Sequence, residues 1–220
     1  MTRLAILGAS GHGKVVADAA QLSGWSSIEF YDDAWPQRTV NGVWPIMGDS
    51  SQLLASAPQF DGIVVAIGNN AVRREKLAQL KSAGARLATI IHPTAVVSQH
   101  ARIGAGSVLC AAAVVNPFCE VGEGAILNTA CSVDHDCRLG CFVHVSPGAR
   151  LAGAVTVGDE SWIGIGACVR QQIQIGARVM VAAGAAVVSD ISDNMTVAGV
   201  PARVRQPVEG IDAGCIKPGV

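Results

Sequence analysis

The chain has 220 residues, half of them hydrophobic and 15% charged, with 25 glycines and a net charge of −1. That balance, without a basic run, lacks the electrostatic footprint of a nucleic-acid binder, and no run of about 18 apolar residues exists to cross a membrane. Aromatic residues make up only 4%, so the core must use Val, Ile, Leu and Ala, which favours regular, closely stacked architecture. The opening apolar run is short and meets a Gly-rich turn at once, unlike a secretory leader. Seven cysteines, an odd number, then suit a cytoplasmic protein with reduced thiols.

In chain order, "RLAILGASGHGKVVADAAQL" reads as a buried strand, a Gly-rich turn and an amphipathic helix. A second strand ends in Ile28 to Asp33. A third is "GIVVAIGNN", Gly62 to Asn70, followed by a helix, "AVRREKLAQLKSAG", and a further strand, "ATIIHP". This alternation predicts a small parallel α/β unit, Rossmann-like, over residues 1–88. Ligands of such sheets bind beyond the carboxyl ends of the strands. Standing there are Gly8 to Gly13, the pair Asp32 and Asp33, and Gly68 to Asn70. The first turn nearly matches a phosphate-binding loop, but Val15 stands where a Ser or Thr would hold magnesium, which argues against phosphate transfer. Amides at a helix start hold a diphosphate well, and an acidic pair accepts hydrogen bonds from a base, ribose or amine. Together they point to a nucleotide-linked ligand; a tight turn without a ligand is the alternative. The segment 34–58, with Trp35, Pro36, Trp44 and Pro45, reads as a loop excursion with one short strand.

From Ile91 the sequence repeats every six residues. Ile91, Val97, Ile103, Leu109, Val115, Val121 and every sixth residue on to Val187 are all Val, Ile or Leu. At ordinary usage the chance of such a series is on the order of one in ten billion. Two residues before each stands a mostly small one, such as Ala113, Cys119, Ala125, Cys131 and Cys137; just after it Gly is frequent, as at Gly104, Gly122, Gly140, Gly158 and Gly176. One large and one small inward residue per six-residue strand describes a hexapeptide parallel β-helix, with about 18 residues per triangular coil. The register sends Cys119, Cys131 and Cys137 inward as core filler. With Cys137 inward, a metal site shared with Cys141 cannot converge, and no metal is expected. Cys110, Cys141 and Cys168 are assigned to the surface.

The same register puts His135 and Asp136 outside, near a corner, and Gly153 one coil above His135. A base beside an unobstructed backbone amide suits acyl transfer. His144 is also outside. It lies half a coil from His135, so the two belong to different corners and would meet one ligand only across two chains, as in a symmetric oligomer.

The motifs "GASGHGKVV", "YDD", "AIGNNAVRREK", "IHPTAVVS", "LNTACSVDHDC", "FVHVSPGA" and "AGVPAR", in this order, resemble the NeuD/PglD-like sugar acetyltransferase family over nearly the whole chain. The resemblance implies a left-handed β-helix over residues 89–190 and a cap and tail over 191–220. It implies acetyl-CoA as donor, a homotrimer with sites between subunits, and a nucleotide-linked amino sugar held by the small domain. His135 matches the general base and Asp136 the acidic residue that orients it, where some members have Glu. His144 and Gly153 match positions at the thioester end of acetyl-CoA, and Ile165 and Ala183 match cofactor contacts further along. Ser10, Gly11, His12, Asp32, Asp33 and Gly68 match nucleotide-sugar contacts, and Asn128 a polar residue of the cleft. The expected reaction is N-acetylation of a nucleotide-linked 4-amino-4,6-dideoxy sugar. O-acetylation of sialic acid or a capsule sugar is the alternative, and a non-catalytic nucleotide-sugar scaffold a third reading. After Val187 the phase breaks, as expected for a capping end; the tail 207–220 is Gly- and Pro-rich.

Overall fold

The computed structural model describes residues 2–205. Within the N-terminal unit, β1 (Arg3–Leu7), β2 (Ser27–Tyr31), β3 (Val40–Asn41), β4 (Trp44–Gly48) and β5 (Gly62–Val65) form one sheet in the order β3-β4-β2-β1-β5. Strand β1 is central, parallel to β2 and β5, and Leu4, Ala5 and Ile6 are fully buried. Such continuous burial is what a parallel strand covered on both faces requires. Helix α1 (Gly11–Leu22) buries Val16, Ala17, Ala19 and Ala20 along one side. Helix α3 (Asn70–Ser82) starts on Asn69, whose side chain accepts the Val72 N–H, and buries Asn70, Arg73, Leu77 and Leu80 at helical spacing.

The segment read as a loop, 34–58, is more ordered than expected. It contains the β3–β4 hairpin, with β4 parallel to β2, and helix α2 (Ser50–Ser56). Asp49 and Gln52 close a capping box at the start of α2, a signature present in the sequence as Asp-Ser-Ser-Gln. Pro45 is tolerated because it sits where β4 meets only the short β3 beyond it.

Residues from Ile90 onward wind into a three-faced parallel β-helix. The strands of each face recur every 18 residues in register, as in Leu127↔Val145, Val115↔Val133 and Val121↔Leu139. The first face begins at Ile90–Ile91, the second at Val96–Val97 and the third at Arg102–Ile103. The large series from Leu109 to Val187 and the small series including Ala113, Cys119, Cys131 and Cys137 are buried, forming one cluster along the axis. Ile91 departs from this. It keeps its register with Leu109 but is 37% exposed, because it lies in the terminal coil with no coil below. "ATIIHP" therefore supplies the solenoid's first strand at Ile90–Ile91, while just before it Leu87 bridges Ile63 of the small sheet and Ala88 donates its N–H to the Ile63 carbonyl at 2.9 Å.

The glycines between the third and first faces answer to sterics. A Cβ on Gly122 would lie 2.6 Å from the Cys141 nitrogen, and one on Gly158 2.5 Å from that of Ala177. Successive coils press together there, so a side chain has no room. At the far end Thr196–Ala198 continues the first face, and Arg203–Arg205 pairs with it antiparallel, covering the edge. The tail 207–220 lies outside the described residues. Among those described, no helix is long and apolar enough to cross a membrane.

The small domain docks on the first face. Helix α3 lies over the corner between the third and first faces. There the Leu77 side chain occupies the space a Cβ would need at Gly106, 2.8 Å away, and comes within 3.4 Å of one at Gly124. Ile90, Val108 and Cys110 join the small domain's own core. Cys110, expected at the surface, is consequently buried: it points out of the solenoid into the docked domain. Cys168 is exposed and Cys141 half-buried.

Candidate active site

Two groups of polar residues stand apart on the solenoid: one at a corner, and one on a face, where His144, expected at another corner, sits within a strand. The first is built on the corner between the second and third faces. Asp136 adopts a left-handed backbone, φ 61°, which Asp tolerates better than most residues. That turn brings its carboxylate back to the preceding side chain, and the His135 Nδ1 lies 2.8 Å from Asp136 Oδ2. The hydrogen bond that His135 Nδ1–H donates to Asp136 raises the His135 pKa above its ordinary value, with further help from the charges of Asp136 and Asp134. It also fixes the tautomer that leaves Nε2 free to accept a proton. Asp134 is held by Asn116 at 2.8 Å and accepts the His135 N–H. One coil above, Gly153 lies directly against the imidazole: a Cβ there would sit 2.5 Å from both Cε1 and Nε2. Among the described residues the Gly153 N–H meets no acceptor.

The second group lies on the first face, beneath the small domain. His144 and Trp162 are neighbours in one outward column and stack with ring centroids 4.5 Å apart. The Trp162 N–H donates to Ser146 Oγ at 2.6 Å, and Asn128 Nδ2 lies 3.3 Å from His144 Nε2. His144, expected outside the solenoid, does point out of it but is only 6% exposed, because the docked domain covers it. Burial first, then the charge of Arg73 and the proximity of His12, lower its pKa to about 3. His12 is lowered to about 4 by burial and Arg73. Both are neutral at pH 7. His12 Nε2 and His144 Nδ1 are enclosed without a hydrogen-bond partner, and a buried polar atom of this kind calls for a missing partner.

Beside this group a cavity of about 340 Å³ opens beyond the strand ends, lined by Gly8, Ser10, Asp32, Asp33, Ser50, Ile67, Gly68 and Lys76 among others. It gathers Ser10, Asp32, Asp33 and Gly68 of the expected nucleotide-sugar contacts; Gly11 and His12 stand at the adjoining helix start. Asp32 is already committed to the Gly-rich turn, accepting the Ala9 N–H at 2.6 Å and the Ala34 N–H at 3.0 Å. Asp33 accepts the Ser50 N–H and hydroxyl and meets Lys76 Nζ at 3.1 Å. The Ser50 hydrogen bonds chiefly hold its pKa below the ordinary value. Ser50, Lys76 and Trp162 were not singled out from the sequence. The 18-residue register that aligns His144 with Trp162 would have found the last.

Ile165 and Ala183 lie in successive turns at the corner between the first and second faces, joined by the Gly184 N–H to the Ile165 carbonyl at 2.8 Å. They share a corner as expected, and Ile165 is exposed. The second face separates this corner from His135. Among the described residues no group of three or more His, Cys, Asp or Glu side chains is gathered for a metal.

Residues 3–80 match the family model of the PglD N-terminal domain. GDP-perosamine N-acetyltransferase of Escherichia coli O157:H7 is 31% identical over 183 residues, covering 80% of this chain and 81% of that one. The acetyltransferase domain of PglB from Neisseria gonorrhoeae FA1090, solved with acetyl coenzyme A, is 48% identical with a TM-score of 0.88, over 92% of this chain and 98% of that one. PerB from Caulobacter crescentus, solved with CoA and GDP-perosamine, is 35% identical with a TM-score of 0.89, over 94% and 98%. Variants of that enzyme with a histidine replaced by asparagine or alanine were solved with the same two ligands. These likenesses span the small domain and a left-handed β-helix together, and the chain belongs to the NeuD/PglD-like family of sugar acetyltransferases.

Proposed function

We propose that this chain transfers the acetyl group of acetyl-CoA to the amine of a nucleotide-linked 4-amino-4,6-dideoxy sugar. The observation that carries the reading is the His135–Asp136 pair lying against Gly153. The bound CoA and GDP-perosamine of PerB support the pairing of donor and acceptor class.

In this mechanism the sugar amine attacks the thioester carbonyl. His135 Nε2 accepts the amine's proton while Asp136 holds Nδ1–H and steadies the imidazolium. The free Gly153 N–H donates to the developing oxyanion. The tetrahedral intermediate collapses, and coenzyme A leaves as the thiol after taking a proton. No acyl-enzyme is formed, since Cys168, the exposed thiol among the described residues, has no base beside it in register. Ile165 and Ala183 flank the pantetheine arm. His144 and Asn128 meet the acceptor and the thioester end. Ser10, Gly11, His12, Asp32, Asp33 and Gly68 surround the nucleotide-sugar.

The separation of the two groups supports a homotrimer in which His135 of one chain faces His144 and Asn128 of the next. Exposed Val96 and Phe118, on the second face and at its His135 corner, are apolar surface for such a contact. A cytoplasmic location fits a donor of acetyl-CoA type and the free thiols. The domain division assigns residues 1–88 to the nucleotide-sugar, 89–190 to acetyl transfer and 191–220 to the cap and tail.

The test is release of coenzyme A thiol from acetyl-CoA with UDP-, GDP- and dTDP-linked 4-amino sugars, with a sialic acid control. Turnover with an amino sugar that falls about 10³-fold or more in His135→Ala is the expected result. Turnover only with the hydroxyl acceptor would move the chain to O-acetylation. Mixing His135→Ala with Asn128→Ala chains should restore part of the lost activity, because mixed trimers hold some intact sites. No recovery after confirmed subunit exchange would sink the shared site.

A further inference from the structure

The Arg73 guanidinium is buried, 1% exposed, and no carboxylate pairs with it. All five of its N–H donors are nevertheless used. Nε donates to the Gly124 carbonyl at 2.7 Å, and Nη2 donates to the Phe142 carbonyl at 2.7 Å and to Asn70 Oδ1 at 2.8 Å. Nη1 donates to the carbonyls of Ile67 at 2.9 Å and Gly68 at 3.0 Å. Gly124 and Phe142 belong to successive coils of the solenoid, whereas Ile67 and Gly68 line the cavity of the small domain. A buried charge is an expensive way to join two domains, and Leu77 already supplies an apolar contact there. The fork does something an apolar residue cannot: it dictates where two carbonyls point.

A trans peptide sets its N–H opposite its C=O. With the Ile67 and Gly68 carbonyls turned to Arg73, the N–H groups of Gly68 and Asn69 are turned away from it, and Ile67 and Gly68 line the cavity. Among the described residues neither N–H meets an acceptor. Gly68 has nothing within 4 Å of the place a Cβ would occupy, so space, not packing, surrounds that peptide. Two free N–H groups turned to the same side can donate together to one anion.

We propose that Arg73 is a positioning residue, which locks the Ile67–Gly68 peptides so that the Gly68 and Asn69 N–H groups receive the diphosphate of the nucleotide-sugar, and which references that site to the solenoid. The inference rests on the nucleotide-sugar reading of the cavity and adds how its diphosphate is held. Lysine cannot replace the arginine, since one ammonium with three donors cannot reproduce the planar fork.

The test compares wild type with Arg73→Lys, using Arg74→Ala as control. Arg74 also crosses between the domains, to Glu160, but touches neither carbonyl. Calorimetry measures binding of UDP, GDP and the corresponding nucleosides, and KM is measured separately for nucleotide-sugar and acetyl-CoA. In Arg73→Lys, diphosphate affinity should fall about tenfold or more, with KM for the nucleotide-sugar rising in step and KM for acetyl-CoA within about twofold. Nucleoside affinity should change far less, and Arg74→Ala should behave as wild type. Unchanged diphosphate affinity with only a lower melting temperature would reduce Arg73 to a domain clip and overturn the proposal. An equal loss for nucleotide and acetyl-CoA would do the same. Should Arg73→Lys fail to fold, Asn69→Pro probes the same wall: the backbone there already has proline's φ, −65°, and the change removes one of the two N–H groups, so unchanged diphosphate affinity counts against the N–H site. Diphosphate binding without turnover of any amino sugar would defeat the proposed reaction and leave this inference standing.

Discussion

At the scale of single residues, a left-handed corner turns two neighbouring side chains into an acid–base pair. His135 must be neutral to accept a proton, so kcat/KM falls as pH drops through its pKa. Asp136 raises that pKa above 6.5, chiefly by its hydrogen bond. The acid limb of the pH profile should therefore lie above 6.5 and shift down toward it in Asp136→Asn, with a smaller loss of plateau rate than in His135→Ala. A limb that does not move would remove Asp136 from the pair. Gly153 offers a sharper probe. The nearest atoms an alanine there would meet belong to the His135 ring, an exposed side chain. Stability should stay within about 0.5 kcal/mol, while displacement of the base lowers kcat on the order of 10²-fold; an active Gly153→Ala enzyme would separate the ring's position from catalysis. His135, Asp136 and Gly153 were legible because the six-residue period assigns each a corner. The burial of His144 and Cys110 was not, because it comes from another domain.

At the scale of elements, the solenoid is legible because each coil contacts only its neighbours, so its packing rule is written locally and repeated. Buried Ser107 and Ser161 show how strictly the small inward slot is used. Each hydroxyl donates to a carbonyl, of Gly122 and Gly176 respectively, and accepts a backbone N–H, so neither is left unsatisfied. The corner glycines obey a different rule from Gly153. A methyl at Gly122 meets backbone of the next coil at 2.6 Å, and backbone cannot rotate away. Gly122→Ala should cost about 1–3 kcal/mol in denaturant unfolding; a neutral result would mean that the coils part more easily than their spacing indicates. Helix α2 shows the opposite failure of reading. Its capping box was in the sequence, but Trp, Pro and Ser around it suggested a loop.

At the scale of the whole molecule, docking of the small domain encloses His12 and His144 beside the Arg73 cation. The folded pKa values are about 4 and 3 against an unfolded value of 6.5. Between these limits the unfolded chain binds protons that the folded chain refuses. Stability therefore declines as pH falls below 6.5, and this contribution is fully spent below about pH 3. Asp33, whose pKa is held below 3.8 chiefly by the Ser50 hydrogen bonds, adds its own loss only further down. The melting temperature should already drop between pH 6.5 and 5, and His144→Gln should flatten that slope; an identical slope in the variant would mean that His144 takes no part. The sequence by itself determined the β-helix, its register, the inward cysteines and the corner carrying His135, Asp136 and Gly153, since all of these follow from local periodicity. Tertiary structure alone decided the contacts made where domains meet: the covering of His144 and Cys110, the stack of Trp162, the engagement of Asp32 and Asp33, and the five bonds of Arg73. Those contacts join residues far apart in the chain, and no period relates one partner to the other.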